Sequence, residues 1–154
     1  MKKLMIMIAL LTITVFIVGC NNNNPQNTNI EPKMDMVLDQ GYITVSSGST
    51  GNTKLTLTKK DSESASASFS IQLISPEEEN VYFVGDNGDK ITSINTTLFE
   101  NKDDRKVYPL NIKAKKDSTK DEVVYTLDIK LLYNEKELGN PQKLKVRIIW
   151  INNS

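Results

Sequence analysis

The chain has 154 residues, 19 basic and 19 acidic, with no histidine and a single cysteine. That length admits one domain plus leader segments, and a formal charge of zero lacks the basic stripe of a nucleic-acid binder. Without histidine the commonest general base and transition-metal ligand are missing, and one cysteine allows neither an internal disulfide nor a thiolate metal site.

The chain opens with Lys2 and Lys3, and Leu4 to Val18 is then apolar except for Thr12 and Thr14. Gly19 and Cys20 close the run, and from Asn21 the sequence turns polar at once. A charged start, a short apolar stretch and a small residue at the cut form the plan of a secretory signal. As a helix, Leu4 to Val18 spans about 22 Å, short of the roughly 30 Å hydrocarbon core. An uncleaved transmembrane helix is therefore the weaker reading, and either way Lys2 and Lys3 stay inside and the rest lies beyond the cytoplasm.

Ile17-Val18-Gly19-Cys20 resembles the lipobox of prokaryotic lipoproteins. The resemblance implies a diacylglyceryl group on the Cys20 thiol and cleavage between Gly19 and Cys20. Residues 1–19 would be the signal peptide, and the mature chain would carry 17 basic against 19 acidic residues. A thiolate is the side chain suited to forming such a thioether, and two acyl chains hold where one holds only marginally.

Residues 20–36 read as a flexible Asn-rich tether, since Asn21 to Pro32 carries two prolines and no apolar period. From Val37 the period becomes two. Gly41 to Val45 is the first strand candidate, Ser46 to Asn52 a turn, and Thr53 to Thr58 a strand with Leu55 and Leu57 on one face. Lys59 to Ser64 reads as a charged turn. Ala65, Ala67, Phe69, Ile71 and Leu73 then share a face, up to Ser75-Pro76.

Val81 to Val84 is a short strand, and Asn87-Gly88 signals a hairpin that returns along Lys90 to Ile94. Leu98 to Arg105 reads as an edge loop with Phe99 turned inward, and Leu110, Ile112 and Ala114 alternate again. Lys115 to Asp121 is a polar turn.

The last two strands alternate most clearly: Val123, Tyr125, Leu127, Ile129 and Leu131 on one, Leu144, Val146, Ile148 and Trp150 on the other. A hairpin centred near Lys136 to Leu138 would set Leu131 against Leu144, Ile129 against Val146, Leu127 against Ile148 and Tyr125 against Trp150. It would also set Asp128 against Arg147 and Lys130 against Lys145. Val124, Ile149 and Ile151 would form a small outward apolar patch, expected to be covered by the first strand.

Seven to eight short strands without a helical period predict an all-β, antiparallel immunoglobulin-like β-sandwich over residues 37–151. Val45 to Pro76 resembles prokaryotic surface immunoglobulin-like domains of the fibronectin-III/NEW3 kind, with Lys60-Asp61-Ser62 in place of the usual Asn-x-Gly turn. That resemblance implies a structural or binding role.

Few residues suggest chemistry. Asp86, Asn87 and Asp89, with Asp103 and Asp104 as further oxygens, are calcium candidates, but they lack the Asp-x-Asp-x-Asp-Gly loop spacing and read as a solvated turn. Glu77 to Glu79 are adjacent and cannot face one another across a cleft, and the serines have no histidine to activate them. Asn95-Thr96-Thr97 is a sequon, relevant only in a host that glycosylates exported proteins. No metal site, cofactor or catalysis is expected. The expectation is a membrane lipoprotein held to lipid through Cys20. Its domain would face the periplasm or cell exterior and bind another envelope protein through end loops or an exposed strand edge. The alternative is a small carbohydrate- or calcium-binding surface module, although Tyr82, Phe99 and Tyr108 are the only aromatics expected at the surface.

Overall fold

Alternation of apolar and polar residues forces each strand to bury one side, and two such sheets stacked face to face satisfy all of them. The computed structural model describes residues 30–115 and 122–150. The described residues form ten strands and no helix: β1 Met34–Leu38, β2 Tyr42–Ser46, β3 Thr50–Lys59, β4 Ser70–Ile74, β5 Val81–Val84, β6 Ser93–Asn95, β7 Arg105–Ala114, β8 Glu122–Tyr133, β9 Lys136–Glu137 and β10 Gln142–Ile149. One sheet runs β1-β3-β7-β5; the other runs β2-β10-β8-β4-β6, with β9 pairing β8. In immunoglobulin lettering β1-β3-β7 and β2-β10-β8-β4 are A-B-E against A′-G-F-C, whereas β5 beside β7 precedes β6 beside β4, the reverse of the usual C′-then-D order; the layering and these seven strands define an immunoglobulin-like β-sandwich.

The core lies between the sheets. Leu55, Leu57, Leu110 and Ile112 face Ile71, Leu73, Leu127, Ile129, Leu144 and Val146, each no more than 3% exposed. Full burial of each such side chain contributes about 1.5–3 kcal/mol, and they form one continuous cluster.

The first strand divides between the sheets. β1 pairs antiparallel with β3, and after Asp39 to Gly41 the chain joins the other sheet as β2, parallel to β10. This is the one departure from an all-antiparallel arrangement among the described strands. Thr53, buried on β3, holds the crossing: its hydroxyl accepts from the Gln40 N–H and donates to the Gln40 carbonyl, both at 3.2 Å. β1 begins at Met34, inside the stretch read as tether, because Met34, Met36 and Leu38 turn inward against the core.

Four local expectations are corrected. The β8–β10 hairpin keeps its predicted faces but shifts register by four residues: Leu144 lies opposite Leu127, Val146 opposite Tyr125 and Ile148 opposite Val123. Its turn is Asn134-Glu135, both at positive φ, and an extra loop at Gly139 to Pro141 separates β9 from β10. Asp128 consequently bonds Lys143 at 3.0 Å, and Arg147 reaches Glu122 at 2.7 Å. Second, Ala65 is exposed, and the buried alternation starts at Ala67. Third, the return after Asn87-Gly88 is brief. Ile91 donates to the Phe83 carbonyl, and β6 then crosses to pair with β4 in the opposite sheet. Fourth, β2 joins β10 edge to edge instead of covering the outer patch, so Val124 remains 49% exposed. Ile151 lies outside the described residues.

Candidate functional site

Outward positions of β1, β3 and β7 form three rows that cross the strands. Asp35 lies beside Thr58 and Arg105, and Val37 beside Thr56 and Val107. Asp39 lies beside Lys54, whose carbonyl accepts the Asp39 N–H at 2.9 Å, and Lys54 lies beside Pro109. With Lys60, all of these except Pro109 line an open trough of about 610 Å³. Its charge is divided by strand: carboxylates on β1, cations on β3 and β7. Val37 and Val107, each 50% exposed, leave an apolar band across the middle. Among the described residues the Lys60–Asp35 contact, at 3.8 Å, is the only ion pair within the trough.

No candidate site expected from the sequence falls on this face. Its signal is the alternation Met34-Asp35-Met36-Val37-Leu38-Asp39, in which an inward apolar set hides an outward set of acids around one valine. Arg105, expected in a loop, opens β7 because it sits opposite Thr58 in the ladder.

At the end of the sandwich where β1 begins, Lys59 carries an unexpected burial. Expected in a charged turn, it instead continues the inward phase of Leu55 and Leu57 and is 0% exposed. Its ammonium donates to the carbonyls of Asp61 at 3.2 Å and Ser64 at 3.1 Å, and lies 3.8 Å from the Asp61 carboxylate. That carboxylate also accepts from the Ser64 hydroxyl, the Ser64 N–H at 2.8 Å and the Lys33 N–H at 2.5 Å. Burial by itself would push the Asp61 carboxyl up. The Ser64 and Lys33 donors and the Lys59 charge outweigh it and hold the group well below the usual carboxylate range. The cluster therefore pins the segment entering the domain at Lys33, and it offers no free nucleophile or base.

The remaining candidates stay apart. Asp86, Asn87 and Asp89 are exposed on one turn, where the Asn87 amide donates to the Asp89 carboxylate and its oxygen accepts the Asp89 N–H. Asp104 instead accepts the Glu100 and Asn101 N–H groups, which hold its carboxyl below the usual range. Among the described residues no three acidic, histidine or cysteine side chains converge as a metal site. Glu77 bonds Asn80, and Glu78 bonds Lys90.

Asn95 is exposed on β6, while the Thr96 hydroxyl is buried, accepting the Phe69 N–H at 2.8 Å. Phe99 is fully buried against Phe69, with the Lys106 ammonium over its ring, so the expected surface aromatics reduce to the half-buried Tyr82 and Tyr108, while Tyr42, not among them, is 50% exposed. Tyr108 borders a recess of about 220 Å³, below the usual size of a small-molecule site. Gly19 and Cys20 lie outside the described residues.

Neither protein-family models nor curated proteins match the chain. Solved structures do. One is α2-macroglobulin from Escherichia coli, from domain MG7 to the C-terminus, with a TM-score of 0.51, 11% identity, and coverage of 78% of this chain and 17% of that one. Domains 4 and 5 of the S-layer protein SbsC match with a TM-score of 0.45 and 15% identity, over 77% of this chain and 54% of that one. A CARDB domain from Pyrococcus furiosus matches with a TM-score of 0.46 and 13% identity, over 77% and 93%. This chain spans about half or less of the S-layer and macroglobulin chains. At these identities the likeness is one of fold, and the fold is that of immunoglobulin-like modules.

Proposed function

We propose that the protein is a lipid-anchored extracytoplasmic lipoprotein. Its immunoglobulin-like domain serves as a non-enzymatic binding module for protein at the cell envelope, using the outer face of β1, β3 and β7. The observation that carries the binding role is that face: an open, three-stranded surface with an apolar band between two rows that each carry an acid and a base, a composition suited to protein contact rather than to enclosing a small molecule. The anchor rests on the residues around Cys20. Support for its placement comes from Lys33, where the chain enters the domain and is fastened by Asp61 at the end of the sandwich.

Fractionation and mass spectrometry test the reading together. The native chain, expressed in a lipoprotein-processing bacterium, is expected in the membrane fraction with an acylated Cys20 as its first residue. Cys20→Ser is expected to move it to the soluble exported fraction without altering its far-ultraviolet circular dichroism. An unmodified Met1 or a free Cys20 thiol on the membrane-bound wild type overturns the anchor.

A further inference from the structure

The trough is complementary to itself. Consider two copies placed face to face, related by a twofold axis that lies between them and runs along β3. Such an axis exchanges β1 of one copy with β7 of the other and leaves each row at its own height. Asp35 then meets Arg105 of the second copy, and Val37 meets Val107, because each pair already shares a row across Thr58 and Thr56. Both contacts occur twice, as a twofold interface requires. Thr56 meets its own copy on the axis. Lys54 does likewise, with the Asp39 carboxylates of the same row as counter-charge. A different in-plane axis, perpendicular to the strands, would set β1 on β1 and bring acid to acid.

We propose that this face joins two copies of the chain into a parallel homodimer whose shared axis runs along β3. The axis keeps both entry points at Lys33 on one side of the pair, as two anchors in one membrane need. The proposal thus rests on the anchoring reading for its strength and on the trough for its specificity. Three rows on three strands cover roughly 15 Å by 15 Å, well short of the 800 Å² or so per partner of a stable soluble dimer. Association is therefore weak in free solution and is promoted by confinement on a shared surface.

Crosslinking in membranes of cells expressing the full chain tests it. Aligned sheets pack about 10 Å apart, so a short bis-maleimide suits Thr56→Cys on the axis. The expected result is a dimer band with Thr56→Cys and none with Thr126→Cys, which lies on the outside of the other sheet. Adding Asp35→Arg is expected to lower the band at least about fivefold, and Asp35→Arg with Arg105→Asp to restore it, as reciprocal ion pairs require. Absence of the Thr56→Cys band, an equal Thr126→Cys band, failure of the charge exchange to rescue, or a crosslink to a different protein overturns the proposal. The parent chain reports the anchor separately, since an acylated Cys20 cannot crosslink. If the parent does crosslink, the anchor reading fails, and the same series in Cys20→Ser at millimolar protein decides the face on its own, with rescue again the deciding result.

Discussion

Lys59 shows how one residue departs from its type. Lysine is rarely buried without partners, and here two carbonyls and a carboxylate receive its ammonium at the end of the core. Removing one member of such a cluster leaves the others desolvated, so Asp61→Asn is expected to cost about 2–4 kcal/mol at pH 6, read from urea unfolding. The pH dependence has a definite sign. The folded Asp61 carboxyl titrates below its unfolded value of about 3.9, so the unfolded chain binds more protons in between. Its contribution is present above about pH 5 and is lost as pH falls toward the folded value. The wild-type urea midpoint is expected to drop between pH 5 and pH 2.5, and Asp61→Asn to flatten that drop; an unchanged slope would show that other carboxylates govern acid stability. Lys59 was legible in principle, since it keeps phase with Leu55 and Leu57, but its charge pointed to a turn. Only its two carbonyl acceptors and the nearby Asp61 carboxylate, drawn from a loop that alternation does not describe, explain why it stays inside.

At the scale of elements, two positions report how strands are held. Gly51, near the start of β3, lies under β2, and an added Cβ would come within 2.4 Å of a Val45 methyl. Gly51→Ala is expected to displace β2 from its parallel pairing with β10 and to cost about 1–3 kcal/mol, as a lowered thermal midpoint. The β8–β9 turn offers the opposite case. Asn134 and Glu135 both have positive φ, at 49° and 65°, as a two-residue type I′ turn demands, and glutamate suits the second place poorly. Glu135→Gly is expected to stabilise by about 0.5–1 kcal/mol, and calorimetry would show a higher midpoint. The hairpin also marks where reading by pattern stops. Alternation sets which face of β8 and β10 is buried, and any even shift preserves it. The turn and the extra loop at Gly139 to Pro141 select the actual register among those shifts.

Across the whole molecule, β2 and the last strand share one sheet, with β10 between β2 and β8. It supplies Leu144, Val146 and Ile148 to the core, so no smaller unit ending before it retains two complete layers. Deleting residues 142–154 is expected to abolish cooperative thermal unfolding and the strand signal in circular dichroism. A folded truncated chain would mean that β2 finds another partner. The likeness to the macroglobulin structure at 11% identity follows from the same source: layer packing constrains apolar phase and the order of the core strands, not side-chain identity.

By itself the sequence determined the fold class, the positions of most strands and their buried faces, because period two is a local property that neighbours along the chain already express. It also carries the lipobox-like segment on which the proposed anchor rests. Only the tertiary structure decided the split of the first strand between sheets, the hairpin register, the burial of Lys59 and the row order of Asp35, Val37, Val107 and Arg105. Each depends on which strand lies beside which. That is a matter of contacts between residues far apart in the chain, where alternation permits several answers and packing permits one.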